Sequence, residues 1–175
     1  MFDYMIENWM SIITVMMAVF GGIFALVKYS KNVKLRRAEF LIQIIEKVRF
    51  DEGMEKANRF IEYTPKWYDK NFHNCGENEC LVVRLFSYYS YICYLIKHRY
   101  ITPKDAEMFE YELKRTLILP SVKAYLFNLY HFSNSKKRKS KCIFQHLIDY
   151  GLDKGILPKE FKNKNCKKYR RILKF

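Results

Sequence analysis

Residues 8–27, NWMSIITVMMAVFGGIFALV, are twenty positions without a formal charge, bounded by Glu7 and Lys28. At 1.5 Å of rise per residue such a run makes a helix of about 30 Å, the thickness of the hydrocarbon layer of a bilayer. Its flanks do not fit a cleaved signal peptide. Asp3 and Glu7 stand where that pattern has lysines, and Ala25-Leu26-Val27 leads into Lys28 instead of a small-residue cleavage site. Lys28, Lys31, Lys34, Arg36 and Arg37 come directly after the run, and cationic flanks stay on the cytoplasmic side. The amino terminus is therefore expected outside, and the bulk of the chain in the cytosol.

The 148 residues beyond the run are enough for one compact domain with a core of its own. Five cysteines, Cys75, Cys80, Cys93, Cys142 and Cys166, are an odd number in a chain placed in the cytosol, so reduced thiols are expected. Fourteen Tyr and fourteen Phe beside only six Gly and four Pro point to packed helices and away from disorder. The expected architecture is all-α: a transmembrane helix within residues 1–30, a helical bundle over 31–157 and a basic tail over 158–175.

The net charge of +14 is unevenly spread. Residues 131–175 hold fourteen Lys and Arg against Asp149, Asp153 and Glu160, a net of +11. The basic positions cluster at Lys136, Lys137, Arg138 and Lys139, and again at Lys167, Lys168, Arg170 and Arg171. Such an end suits anionic lipid headgroups, RNA or an acidic partner, and charge alone does not choose among them or exclude a merely solvated face.

Within the uncharged run the small and weakly polar residues are ordered. Ser11, Ala18 and Ala25 fall seven apart, as do Thr14 and Gly21, and Asn8 and Gly22 border the same stripe. Heptad spacing keeps these positions on one side of a gently supercoiled helix. Thr14-x3-Ala18, Ala18-x3-Gly22 and Gly21-x3-Ala25 are also small-x3-small pairs, which let helix backbones approach closely in lipid. The stripe suits helix packing in a dimer or ring, or the lining of a pore.

Further along, apolar residues recur near the helical period from Val33 to Tyr63, with a break expected at Asp51-Glu52-Gly53. No strong breaker separates Lys28 from Arg49, so the membrane helix is expected to run on as a strut. A short element is expected from Pro65 and a loop over residues 73–79. Residues 80–99 read as the central helix of the bundle, with Arg84 in need of a partner. Thr102-Pro103-Lys104-Asp105 is a helix start, and Pro120 should kink or end that helix. A last helix over residues 142–152 closes the bundle.

Little in the chain points to bond chemistry. His73, Cys75 and Cys80, with His98 as a fourth, miss the spacing of a structural zinc site, and no metal or cofactor is expected. Arg138 and His146 are the only pair suggestive of acid–base work beside an RNA phosphate. No enzymatic activity is expected.

One span, a basic strut, an aromatic-rich helical domain, a late histidine and a basic carboxyl end together resemble the small membrane-anchored accessory proteins that accompany the RNA-targeting effector nuclease of type VI-B CRISPR systems. The resemblance implies a homo-oligomeric pore, a closed ring in the bacterial inner membrane, that strengthens antiphage defence by depolarising the membrane beside an RNA-guided effector nuclease. It also implies a divergent HEPN-like domain. HEPN ribonucleases carry Arg-x4-6-His, whereas seven residues separate Arg138 from His146. The departure leaves the helical fold and removes the nuclease motif.

Overall fold

The computed structural model describes residues 2–74, 76–135 and 140–174, with the side chains of residues 2–8 and 10 left aside. Among these residues the chain is all-helical, in the order α1 (Phe2–Phe50), α2 (Glu52–Tyr63), α3 (Glu77–Lys97), α4 (Pro103–Ile118), α5 (Pro120–Ser133), α6 (Gln145–Asp153) and a 3-10 turn, Lys159–Lys162. The chain divides into two compact units, Met1–Glu46 and Lys47–Phe175. That division falls inside α1, which runs unbroken past residue 30.

In the first unit, α1 contains a segment long and apolar enough to cross a membrane, none of which is buried within the chain. Beyond it, residues 28–39 are exposed on every side, Lys28, Lys31, Lys34, Arg36 and Arg37 included.

The second unit carries the core. α1 stops where expected: Asp51 leaves the helical region at φ −76°, ψ 120°, and its carboxylate accepts the Met54 N–H at 3.0 Å, capping α2. Lys47 and Arg84 hold the same carboxylate, Arg84 at 3.3 Å. Arg84 thus has its partner and stays half exposed at the rim of the bundle. The Lys47 hydrogen bond, the Met54 N–H and the Arg84 charge set the Asp51 carboxyl below its ordinary range.

α3 is as long and apolar as a membrane span. Its Val82, Leu85, Phe86, Tyr89, Ile92 and Cys93 are all but sealed from solvent, which makes it the core helix, packed on α2, α4 and α6. The short element expected from Pro65 is a series of turns over residues 65–74. Trp67 is buried there against Phe60, Phe72 and Tyr125, and Asp69 accepts the Asn71 N–H at 2.8 Å. An aspartate closing its own turn competes with helix formation.

The Thr102 start is as read: its hydroxyl oxygen accepts the Asp105 N–H at 3.4 Å, and Pro103 is the first helical residue. Thr102→Ala should lower domain stability by about 1 kcal/mol, seen as a small drop in melting temperature, the usual loss for an N-cap. Pro120 ends α4 and opens α5. Leu119 between them is extended at φ −63°, ψ 129°, as a residue before proline prefers.

Of the basic tail, residues 158–174 are described, and they are docked on the domain. Phe161 and Tyr169 are buried against Phe127 on α5, with ring centroids 5.6 and 5.0 Å away. The fully buried Asn128 pins the strand of chain after Tyr169. Its amide donates to the carbonyls of Ala124 and Arg170, both at 2.9 Å, and its side-chain oxygen accepts the N–H of Ile172 at 2.7 Å and of Leu173 at 3.2 Å. Basic residues at the carboxyl end are therefore held in place by apolar and amide contacts.

Candidate functional site

The small residues of the span lie on a continuous helix, which settles how they are arrayed. At 100° per residue, Ser11, Thr14, Ala18, Gly21, Gly22 and Ala25 fall within an arc of about 100°. Ile12, Met16, Val19, Phe20, Ile23 and Phe24 occupy the rest of the circumference, each more than half exposed. A Cβ added at Gly21 or Gly22 would meet nothing within 4 Å in the single chain. The stripe is thus open space on one copy, and Asn8 at its end has a side chain outside the described ones.

The other expected positions separate. Arg138, with Lys136, Lys137 and Lys139, lies outside the described residues, as does Cys75. His146 sits at the start of α6, its ring 5.1 Å from Tyr94 and 6.4 Å from His98. Its Nδ1 is buried and finds no hydrogen-bond partner among the described residues. Burial first, and the Lys97 charge second, hold its pKa below the ordinary histidine value, against a smaller opposing pull from Asp149. Set beside aromatic rings and lacking an orienting partner for Nδ1 among the described residues, His146 has the surroundings of a packing residue.

His73 belongs to a different constellation from the one its cysteine neighbours suggest. Its Nδ1 meets Glu79 Oε1 at 2.9 Å and its Nε2 meets the Tyr68 hydroxyl at 3.1 Å. With Nδ1–H donating to the carboxylate, Nε2 is left to accept the tyrosine O–H. The ring stacks on Tyr125 at 6.0 Å. Both nitrogens are engaged, Cys80 is exposed, and no group of three metal-ligating side chains occurs among the described residues. His98 is away from this loop, beside Tyr94 at 4.4 Å.

No family model, curated protein or solved structure matches this chain. Its surfaces must be judged on their own chemistry.

Two concave surfaces in the second unit differ in charge balance. A recess of about 570 Å³, bounded by residues including Val48, Asn58 and Tyr89, sets Arg49 on Glu112 at 3.0 Å, Arg59 on Glu55 at 2.6 Å, and Arg115 on Glu62. Three guanidinium groups thus meet three carboxylates, and the recess neutralises itself. The other, of about 470 Å³, is lined by Lys66, Lys70 and Arg170 with Asp69 as its one carboxylate. The sequence marked Arg170 as basic surface but gave no sign of Lys66, whose backbone is left-handed at φ 55°. A lysine there costs about 1–3 kcal/mol of local strain. Of the remaining basic positions, Lys167 and Lys168 are exposed, while the Arg171 guanidinium is turned back to the Lys164 carbonyl and to Asn165 at 3.2 Å. Burial, then Lys168, lowers the pKa of Lys123 on α5.

His131 gives the domain an acid sensitivity. Its Nε2–H donates to the Phe161 carbonyl at 3.0 Å. Burial lowers its pKa most, the Phe161 bond opposes this, and Arg171 and Lys164 lower it further. A depressed folded-state value means the unfolded chain takes up the proton first, so stability is full above about pH 6.5 and falls as the pH drops below it. His146 acts in the same direction. The melting temperature should fall between pH 7.5 and 5.5, and His131→Gln, which keeps a donor without a titrating ring, should fall less.

Proposed function

We propose that this chain is a membrane-anchored homo-oligomer whose uncharged helices surround an axial passage. The amino terminus lies outside the bacterial inner membrane and the helical domain in the cytoplasm, as the positive flank directs. One observation carries the reading: the apolar segment of α1 is wholly unburied in a single copy and bears an arc of small side chains. Lipid satisfies the large side chains on the remaining circumference. A single span encloses nothing, so conduction requires a closed ring, and a thin, weakly polar face is the one that suits its inner or helix-packing surface.

In this reading the protein conducts and does not catalyse. Its place beside an RNA-guided effector nuclease, enhancing antiphage defence by membrane depolarisation, follows from the resemblance in layout, and so does a HEPN-like ancestry of the helical domain. Direct contact with RNA is not required by it.

The deciding experiment is the mass of the full chain in detergent together with ion flux through proteoliposomes. A large closed ring and measurable flux are expected, and a monomer or flux-free vesicles would overturn the reading. Gly22→Leu fills the open face. It should move the oligomer towards monomer by roughly tenfold per contact, or reduce flux correspondingly, because close backbone approach in lipid contributes on the order of 1 kcal/mol.

A further inference from the structure

We propose that the recess lined by Lys66, Lys70 and Arg170 binds a phosphate-bearing ligand of nucleotide size. Three cations and one carboxylate leave the lining at a net of +2. The carboxylate, Asp69, already accepts the Asn71 N–H at 2.8 Å. Among the described residues no carboxylate pairs with Lys66, Lys70 or Arg170. Several other cations of the domain are mated: Arg115 with Glu62, Arg49 with Glu112, Lys154 with Glu110, and Lys97 and Lys162 with Asp149.

Two of the three cations are placed with unusual care. Lys66 sits in a left-handed backbone that glycine would adopt without strain. Arg170 has its carbonyl held by the buried Asn128 amide, which fixes its backbone while its side chain is exposed. Two further lysines are sequence neighbours of lining residues. Lys123 precedes the lining residue Ala124, and Lys168, two residues before Arg170, lowers its pKa. This crowding repels cations and attracts an anion of more than one charge, for which phosphoryl oxygens offer several acceptors to lysine and arginine donors.

Size and lining favour a small ligand over a long polyanion. The volume of about 470 Å³ is in the range of sites that enclose one organic molecule. Tyr68, Ala124 and Ile172 supply apolar surface beside the cations, matching a molecule with a charged end and a flat, less polar one.

The test is calorimetric titration of the full chain in detergent with adenosine 5′-diphosphate, inorganic pyrophosphate, adenosine, and a 20-nucleotide single-stranded RNA. Saturable one-to-one binding of the diphosphate and of pyrophosphate, with none for adenosine, is expected. Lys66→Gly retains the backbone geometry and removes one charge. Lys70→Gln and Arg170→Gln remove the others without touching a packed group. Each should weaken binding at least about tenfold while the melting temperature holds, as befits loss of a charge-assisted hydrogen bond. Absence of binding to both phosphate compounds, binding unchanged in the three variants, or binding confined to the RNA would overturn the proposal.

Discussion

Phe144→Ala is expected to remove about 3–5 kcal/mol from the helical domain, enough to abolish a cooperative melting transition in many domains of this size. Phe144 is fully buried at the start of α6. Its ring meets Phe86 of α3 edge-on at 5.8 Å and Tyr125 of α5 at 6.1 Å. Tyr125 in turn touches Trp67, Tyr68 and Phe72, so one deleted ring leaves a cavity where three helices and the residue 65–74 turns converge. In a close-packed interior a void of that size is refilled only in part. The uncharged run of α1 owes nothing to this core, so the variant should still sediment with membranes. Loss of the near-ultraviolet aromatic signal together with retained membrane association is the outcome to look for; an unchanged transition would show that the ring junction is not the centre of the core.

Asn128→Ala should cost roughly 3 kcal/mol and free the carboxyl-terminal segment, since four hydrogen bonds worth about 0.5–1.5 kcal/mol each converge on one buried amide. The orphaned groups include the N–H of Ile172 and of Leu173 and the Arg170 carbonyl, which the alanine leaves without their partner. Limited digestion with trypsin reads the effect directly: Arg170 and Arg171 should become early cleavage sites in the variant and resist in the parent. Asn128→Asp refines the result. It keeps shape and acceptor oxygen but cannot donate to Ala124 and Arg170, so its loss should be comparable in size, with a buried charge added to the cost.

The features of this chain that could be foreseen were local. The uncharged run is one contiguous stretch, and the Thr102-Pro103 start, the break at Asp51 and the interruption at Pro120 each depend on residues within four positions of one another; each stands where the sequence put it. Long-range partners could not be foreseen. Arg84 announces that it needs an acid, but 33 positions separate it from Asp51. Asn128 looks like an ordinary polar interruption in an apolar helix, and only the return of a segment 42 residues later explains it. Charge marks the segment after residue 158 as a basic tail, and its docking through Phe161 and Tyr169 depends on partners on α5 that the sequence does not show. His73 was grouped with Cys75 and Cys80 by proximity in sequence, whereas Tyr68 and Glu79 are the groups its nitrogens reach. Lys66 carried no signal at all, since a left-handed lysine is a consequence of the turn that places Trp67 in the core.

The exposed cations of α1 bear on the composition of an assembly beyond its protein. Lys28, Lys31, Lys34, Arg36 and Arg37 fall within ten consecutive positions immediately after the uncharged run. Copies drawn together through their spans would draw these collars together as well, at spacings comparable to the roughly 8 Å over which physiological salt screens a charge. Counter-ions must then lie between neighbouring copies, and the closest supply is the acidic headgroups of the adjoining leaflet. In the proposed ring, lipid composition would become a term in the association equilibrium: a leaflet rich in phosphatidylglycerol would act as mortar between subunits, and a wholly zwitterionic one would leave the collars to push them apart.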